Sequence, residues 1–171
     1  PRERPRTTLR GMGKVAVVLP GGGARGAYEV GAMSVLLPAL AARGERVSIW
    51  CGTSVGAINA TMFASLANRS AAAHAEGALA RWAAMRKQDV ISPIAGRGGL
   101  RILARLVAHA LGIRGLPLAS LLDSSPLGAS LEAWIDFPAI QENIRGGLLD
   151  AVCVVATSLA TGDPVAFLSS S

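Results

Sequence analysis

Two kinds of hydrophobic pattern alternate along this chain. Short apolar runs stand at Val15–Leu19, which is β-branched at three positions, and at Val47–Cys51, 148–156 and 165–168. They read as strands buried on both faces rather than as half-exposed ones. Between them lie longer stretches with helical spacing. Ala24 to Leu37 is expected to form a helix that Pro38 bends or stops. Val55–Leu66, Ala71–Arg86, Leu100–Leu111 and Leu131–Ile144 are expected to form others, the last interrupted near Pro138. Residues 1–12 read as a flexible basic tail, and Ile91–Gly99 as a loop broken by Pro93, Gly96, Gly98 and Gly99. Strand-helix alternation predicts one α/β domain over residues 13–171, a mostly parallel sheet with helices on both faces. Sites in such sheets form beyond the carboxyl ends of the strands.

Composition narrows the class. With 171 residues, 51% hydrophobic and 16% charged, the chain can bury a sizeable core. The uncharged stretch from Val47 to Asn68 is long enough to span a bilayer. Gly52, Thr53, Ser54, Gly56 and Asn59 within it fit a strand-turn-helix better. No signal peptide is visible, and a cytoplasmic or membrane-peripheral location is expected. Cys51 and Cys153 are too few for a disulfide framework and read as small buried thiols.

The net charge of +6 is uneven. Residues 1–14 hold Arg2, Arg4, Arg6, Arg10 and Lys14 against Glu3, and residues 86–118 hold six cations against Asp89. Contact with an anionic membrane surface is expected from this polarity. Nucleic acid is not expected, because aromatic content is 4% and no stacking platform interleaves with the arginines. The Leu100–Leu111 stretch puts Arg101, Arg105 and His109 on one stripe, which suits an interfacial helix or a core helix with a solvated edge. Trp82 and Trp134 read as core residues.

Two glycine motifs hold the candidate chemistry. Gly21-Gly22-Gly23-Ala24-Arg25-Gly26 follows the first strand, and Gly52-Thr53-Ser54-Val55-Gly56 follows the second. A glycine run between strand and helix gathers backbone N–H groups at the positive end of the helix. Ala27 and Tyr28 follow where a P-loop needs Lys and Ser or Thr, which excludes triphosphate binding. Gly21, Gly23 and Gly26, with Glu45 further on, fit a dinucleotide fingerprint loosely. The third reading is an oxyanion hole. The second motif has the form of a nucleophile elbow, with Ser54 as nucleophile, Gly52 and Gly56 clearing its flanks and the Val55 N–H as a further oxyanion donor. His74 and His109 both lie in alanine-rich helical stretches and read as surface or semi-buried residues. A carboxylate is therefore the expected base.

These motifs resemble the patatin-like phospholipase family. Gly21–Gly26 is similar to its oxyanion motif, with Gly21, Gly22, Gly23, Arg25 and Gly26 in the loop, and Gly52–Gly56 to its Gly-x-Ser-x-Gly motif. Leu122-Asp123-Ser124-Ser125-Pro126-Leu127 and Ala156–Gly162 are softer matches, so the resemblance runs from about Lys14 to Phe167. It implies a three-layer α/β sandwich and a lipid acyl esterase with a Ser-Asp dyad and no cofactor or metal. The family's acid lies in an Asp-Gly pair, and this chain has none: Asp123, Asp136, Asp150 and Asp163 precede Ser, Phe, Ala and Pro. The chain is accordingly expected to be a fragment that stops before that acid and is inactive on its own. Asp163, in a Thr-Gly-Asp-Pro segment, reads as turn chemistry rather than as a substitute base. Two rival functions remain open: a non-catalytic lipid- or protein-binding module, and a nucleotide-binding α/β domain.

Overall fold

The computed structural model describes residues 14–86, 89, 125–158 and 160–171. The basic tail, the 91–99 loop, the 100–111 helix with His109, and Asp123 lie outside them. The chain divides into two compact units, one from residues 1–80 and 137–171, the other from 81–136.

The first unit is built on a four-stranded sheet of β1 (Val15–Leu19), β2 (Val47–Thr53), β3 (Ala151–Thr157) and β4 (Pro164–Ser170), in that spatial order. β1 pairs parallel to β2 and β2 parallel to β3, while β4 returns antiparallel on β3. The expected α/β class with a mostly parallel sheet is what the chain forms. The crossover from β1 to β2 is α1 (Gly26–Ala42), and α2 (Val55–Ser65) follows β2 directly. Then come α3 (Ala71–Ala84), which runs across the division between the units, α4 (Ser125–Trp134) in the second unit, and α5 (Phe137–Arg145) in the first. The segment 131–144, read as one interrupted helix, is thus two, separated at Ile135 and Asp136.

Pro38 does not stop α1, which continues to Ala42. The buried residues Val30, Met33, Leu37 and Leu40 recur every three or four positions, and Pro38 falls on the exposed face. The carbonyl that loses its intrahelical partner there can be solvated by water, so the apolar stripe outweighs the proline.

The core lies on the sheet face that α2 covers. Trp50 of β2 stacks on Phe63 of α2, with ring centroids 4.9 Å apart and planes 9° from parallel. His74 of α3 meets both rings edge-on, at 6.1 Å and 5.4 Å. Asn143 Nδ2 of α5 donates to the Ala64 carbonyl at 2.9 Å and ties α5 to the end of α2. On the other face, the cross-strand row Val18–Cys51–Cys153–Leu168 runs over all four strands, with Val18 73% and Leu168 67% exposed.

Candidate active site

Both glycine motifs sit at the carboxyl end of the parallel strands, where β1 and β2 hand over to α1 and α2. Ser54 stands between β2 and α2 with φ 53° and ψ −128°. It is the one non-glycine residue with positive φ among the described residues. A side chain in that region costs on the order of 1–3 kcal/mol and persists only where its surroundings enforce it.

The surroundings can be named. A Cβ on Gly52 would stand 2.6 Å from the Ala57 nitrogen and closer still to the Gly56 carbonyl. A Cβ on Gly56 would run into the Leu19 and Pro20 carbonyls, the latter at 2.5 Å. The turn therefore closes only because both flanking residues lack side chains. Thr53 Oγ1 donates to the Val155 carbonyl at 3.2 Å and anchors the incoming strand on β3. Ser54 is exposed, makes no capping hydrogen bond, and its hydroxyl has no hydrogen-bond partner among the described residues.

The Gly21–Gly26 loop lies beside this serine. A Cβ on Gly21 would be 3.1 Å from Ser54 Cβ and 3.7 Å from Oγ. The loop then makes one 3-10 turn, Gly23–Arg25, with Gly23 at φ 57°. Within it the Arg25 N–H donates to the Gly22 carbonyl at 3.2 Å, and the Gly26 N–H points to the Gly23 and Ala24 carbonyls. Those two amides are internal to the turn. The Gly22 and Gly23 N–H groups have no backbone acceptor among the described residues. On the serine side, Ala57 and Ile58 N–H donate to the Ser54 carbonyl, at 2.9 and 3.4 Å. The Val55 and Gly56 N–H groups open α2, where a helix leaves its first donors without intrahelical partners. The Arg25 side chain is exposed and lies over Gly22.

Other candidate residues fall elsewhere. His74, expected at the surface or half-buried, is 7% exposed. Its Nε2 pairs with the Phe63 carbonyl at 2.6 Å, and burial lowers its pKa to about 4. It is a core residue because α3 lays it against Trp50 and Phe63. Cys51 is half-buried; burial and its neighbour Cys153 push its thiol up, which keeps it protonated. Glu45 precedes β2, whose first residue Val47 pairs with Val15, so it lies at the opposite end of the sheet from the glycine loop. It pairs with Arg43 at 3.1 Å, and the dinucleotide reading loses its ribose ligand. Asp163 belongs to the β3–β4 turn, where its carbonyl accepts from the Ser158 N–H at 2.8 Å.

One residue beside the site counts in the sequence only as a polar position that argues against a bilayer span. Asn59, five positions after Ser54 on α2, is fully buried. Its Nδ2 donates to the Gly26 carbonyl at 3.0 Å and to Glu29 Oε2 at 2.8 Å, both on α1. The sequence signal was an amide inside an otherwise small and apolar helix, but its partners are about thirty residues away and no spacing announces them.

The family model for patatin-like phospholipases matches residues 17–166. No curated protein and no solved structure matches the chain. The matched span contains both glycine motifs, the strained serine, all of β2 and β3, and parts of β1 and β4. At a coarse level it implies a hydrolase of the phospholipase and esterase kind. The chain belongs to the patatin-like phospholipase family.

Proposed function

We propose that this protein is a serine-dependent lipid acyl hydrolase in which Ser54 attacks the acyl carbonyl. The observation that supports this most is the backbone of Ser54: an exposed hydroxyl held at positive φ, between two glycines that no other residue could replace. Strain of this kind marks a nucleophile lifted above a sheet at a strand-to-helix turn.

In the proposed reaction Ser54 Oγ forms a bond to the acyl carbon while its proton passes to a carboxylate. The carbonyl oxygen becomes an oxyanion. The N–H groups of Gly22, Gly23 and Val55 are the donors proposed to hold it, aided by the positive end of α2. Collapse expels the alcohol, which takes the proton, and leaves an acyl-serine. Water then attacks that ester, releasing the fatty acid and restoring Ser54. The base is assigned to an aspartate of the family's Asp-Gly pair, following its Ser-Asp pattern, and no aspartate of these 171 residues stands in such a pair. His74 cannot serve, since its Nε2 is bonded in the core and its basicity is low. Contact of the arginine-rich 86–118 segment with anionic lipid is a further part of the proposal, and added salt would weaken it.

Ester turnover tests the assignment. The full-length protein, with its catalytic aspartate present, should hydrolyse short-chain p-nitrophenyl esters and phospholipid vesicles. Ser54→Ala should lower turnover by about four to six orders of magnitude, the loss seen when a member of a catalytic unit is removed. Turnover kept within tenfold of wild type would remove Ser54 from the reaction.

A further inference from the structure

We propose that Asn59 is a positioning residue, which sets the oxyanion loop beside Ser54 by hydrogen-bonding the carbonyl where that loop ends. The inference rests on the Ser54 reading above and concerns how its geometry is maintained. Gly26 is the first residue of α1 and the last of the glycine motif, so its carbonyl marks the junction of loop and helix. That carbonyl accepts from Asn59 Nδ2 at 3.0 Å. The second amide hydrogen goes to Glu29 Oε2 at 2.8 Å, in the first turn of α1. One amide group thus bonds a backbone carbonyl and a side chain in the first turn of the neighbouring helix.

Asn59 is itself rigidly referenced to the nucleophile. It lies on α2, whose N-terminus is Ser54, and α2 is seated on β1 by the close approach of Gly56 to Leu19 and Pro20. The chain therefore forms a closed circuit: β1, glycine loop, Gly26, Asn59, back along α2 to Ser54, and across from Gly56 to the end of β1. Only the loop between Pro20 and Gly26 is irregular in that circuit, and Asn59 fixes its far end. A buried amide with both N–H donors engaged imposes one position, because any displacement of α1 leaves a desolvated donor unmatched. Aspartate at the same place would present oxygen to an oxygen and a carboxylate to Glu29. Leucine would keep the volume and lose both bonds.

The test uses Asn59→Leu and the double variant Asn59→Leu with Glu29→Leu. The double variant removes both polar partners, so no carboxylate is left unmatched, but supplies no donor to the Gly26 carbonyl. Three readouts are taken: melting temperature, the rate of labelling by a fluorophosphonate, and amide hydrogen exchange of residues 20–26 measured against residues 151–157. In Asn59→Leu, labelling should slow by about 10–100-fold, as expected for displacement of a catalytic element by an ångström. Exchange in 20–26 should accelerate while 151–157 stays at the wild-type rate. In the double variant the melting temperature should recover and the labelling rate should not. Recovery of labelling together with melting temperature would overturn the proposal, as would wild-type exchange in 20–26. If Asn59→Leu does not fold, the double variant alone decides by the same split. If the full-length protein takes no label, the Ser54 reading fails, and the exchange of residues 20–26 still decides the role of Asn59.

Discussion

Ser54 and His74 lie in the same unit, one before α2 and the other on α3, and the structure treats them in opposite ways. Ser54 is exposed, held at positive φ, and its hydroxyl is bonded to no described residue. His74 is buried, stacked edge-on against Trp50 and Phe63, and bonded to the Phe63 carbonyl. From side-chain chemistry alone the imidazole is the better proton acceptor of the two and the obvious partner for a serine. Its surroundings give it a pKa of about 4 and a structural task. The serine receives strain and open access. Backbone and burial thus separate the two residues, and His74 is taken out of play as a base by where it is placed.

The largest expected effect bears on the strained side of this comparison. Gly56→Ala would drive a Cβ into the Leu19 and Pro20 carbonyls, where neither partner is a side chain that could move aside. A destabilisation of about 4 kcal/mol or more is expected, in the range reserved for broken backbone packing. Urea unfolding would measure it. A loss under 1 kcal/mol would mean that the elbow is not held as described.

The buried side is tested by pH. His74 has a folded pKa of about 4 against an ordinary value of 6.5. A depressed folded value means that the unfolded chain takes up the proton first. The contribution to stability is therefore complete above pH 6.5 and is lost as pH falls toward 4. The swing amounts to about 3 kcal/mol at most, from the free energy of a pKa difference between states. Unfolding free energies measured from pH 7 down to 4.5 should fall, and His74→Phe should flatten that slope. An unchanged slope in the variant would place the titrating group elsewhere.

A smaller effect of opposite sign is expected at the serine. Ser54→Gly removes the side chain that makes positive φ costly, so the variant should be more stable by about 1 kcal/mol while losing the nucleophile. Calorimetry on the two proteins decides. Equal or lower stability would show that the backbone at Ser54 stores no strain.

Much of this arrangement was legible beforehand, for identifiable reasons. The run Val15–Leu19 became a strand with those bounds because apolar β-branched residues flanked by Pro20 leave little choice. The glycine motifs announced their turns, since glycines at such spacing have few other uses. Pro38 misled, because its effect depends on which face of α1 it occupies, and that is set by the burial of Leu37 and Leu40. The depth of His74 was hidden for a similar reason. Its alanine-rich neighbours read as a surface helix, while the aromatic rings that enclose it come from Trp50 and Phe63 on other elements. Asn59 was hidden most completely, since both of its bonds reach across to α1. Sequence reading succeeded where a residue's task is local and failed where it is defined by contacts between elements.

The central claim is that the strained serine, and no other residue, is the nucleophile. Fluorophosphonate labelling of the protein followed by peptide mass mapping tests it most directly. The account predicts a single phosphonylated site at Ser54, absent from Ser54→Ala, with Cys51 and Cys153 unmodified. A label mapped to any other residue, or one that persists undiminished in Ser54→Ala, would contradict it.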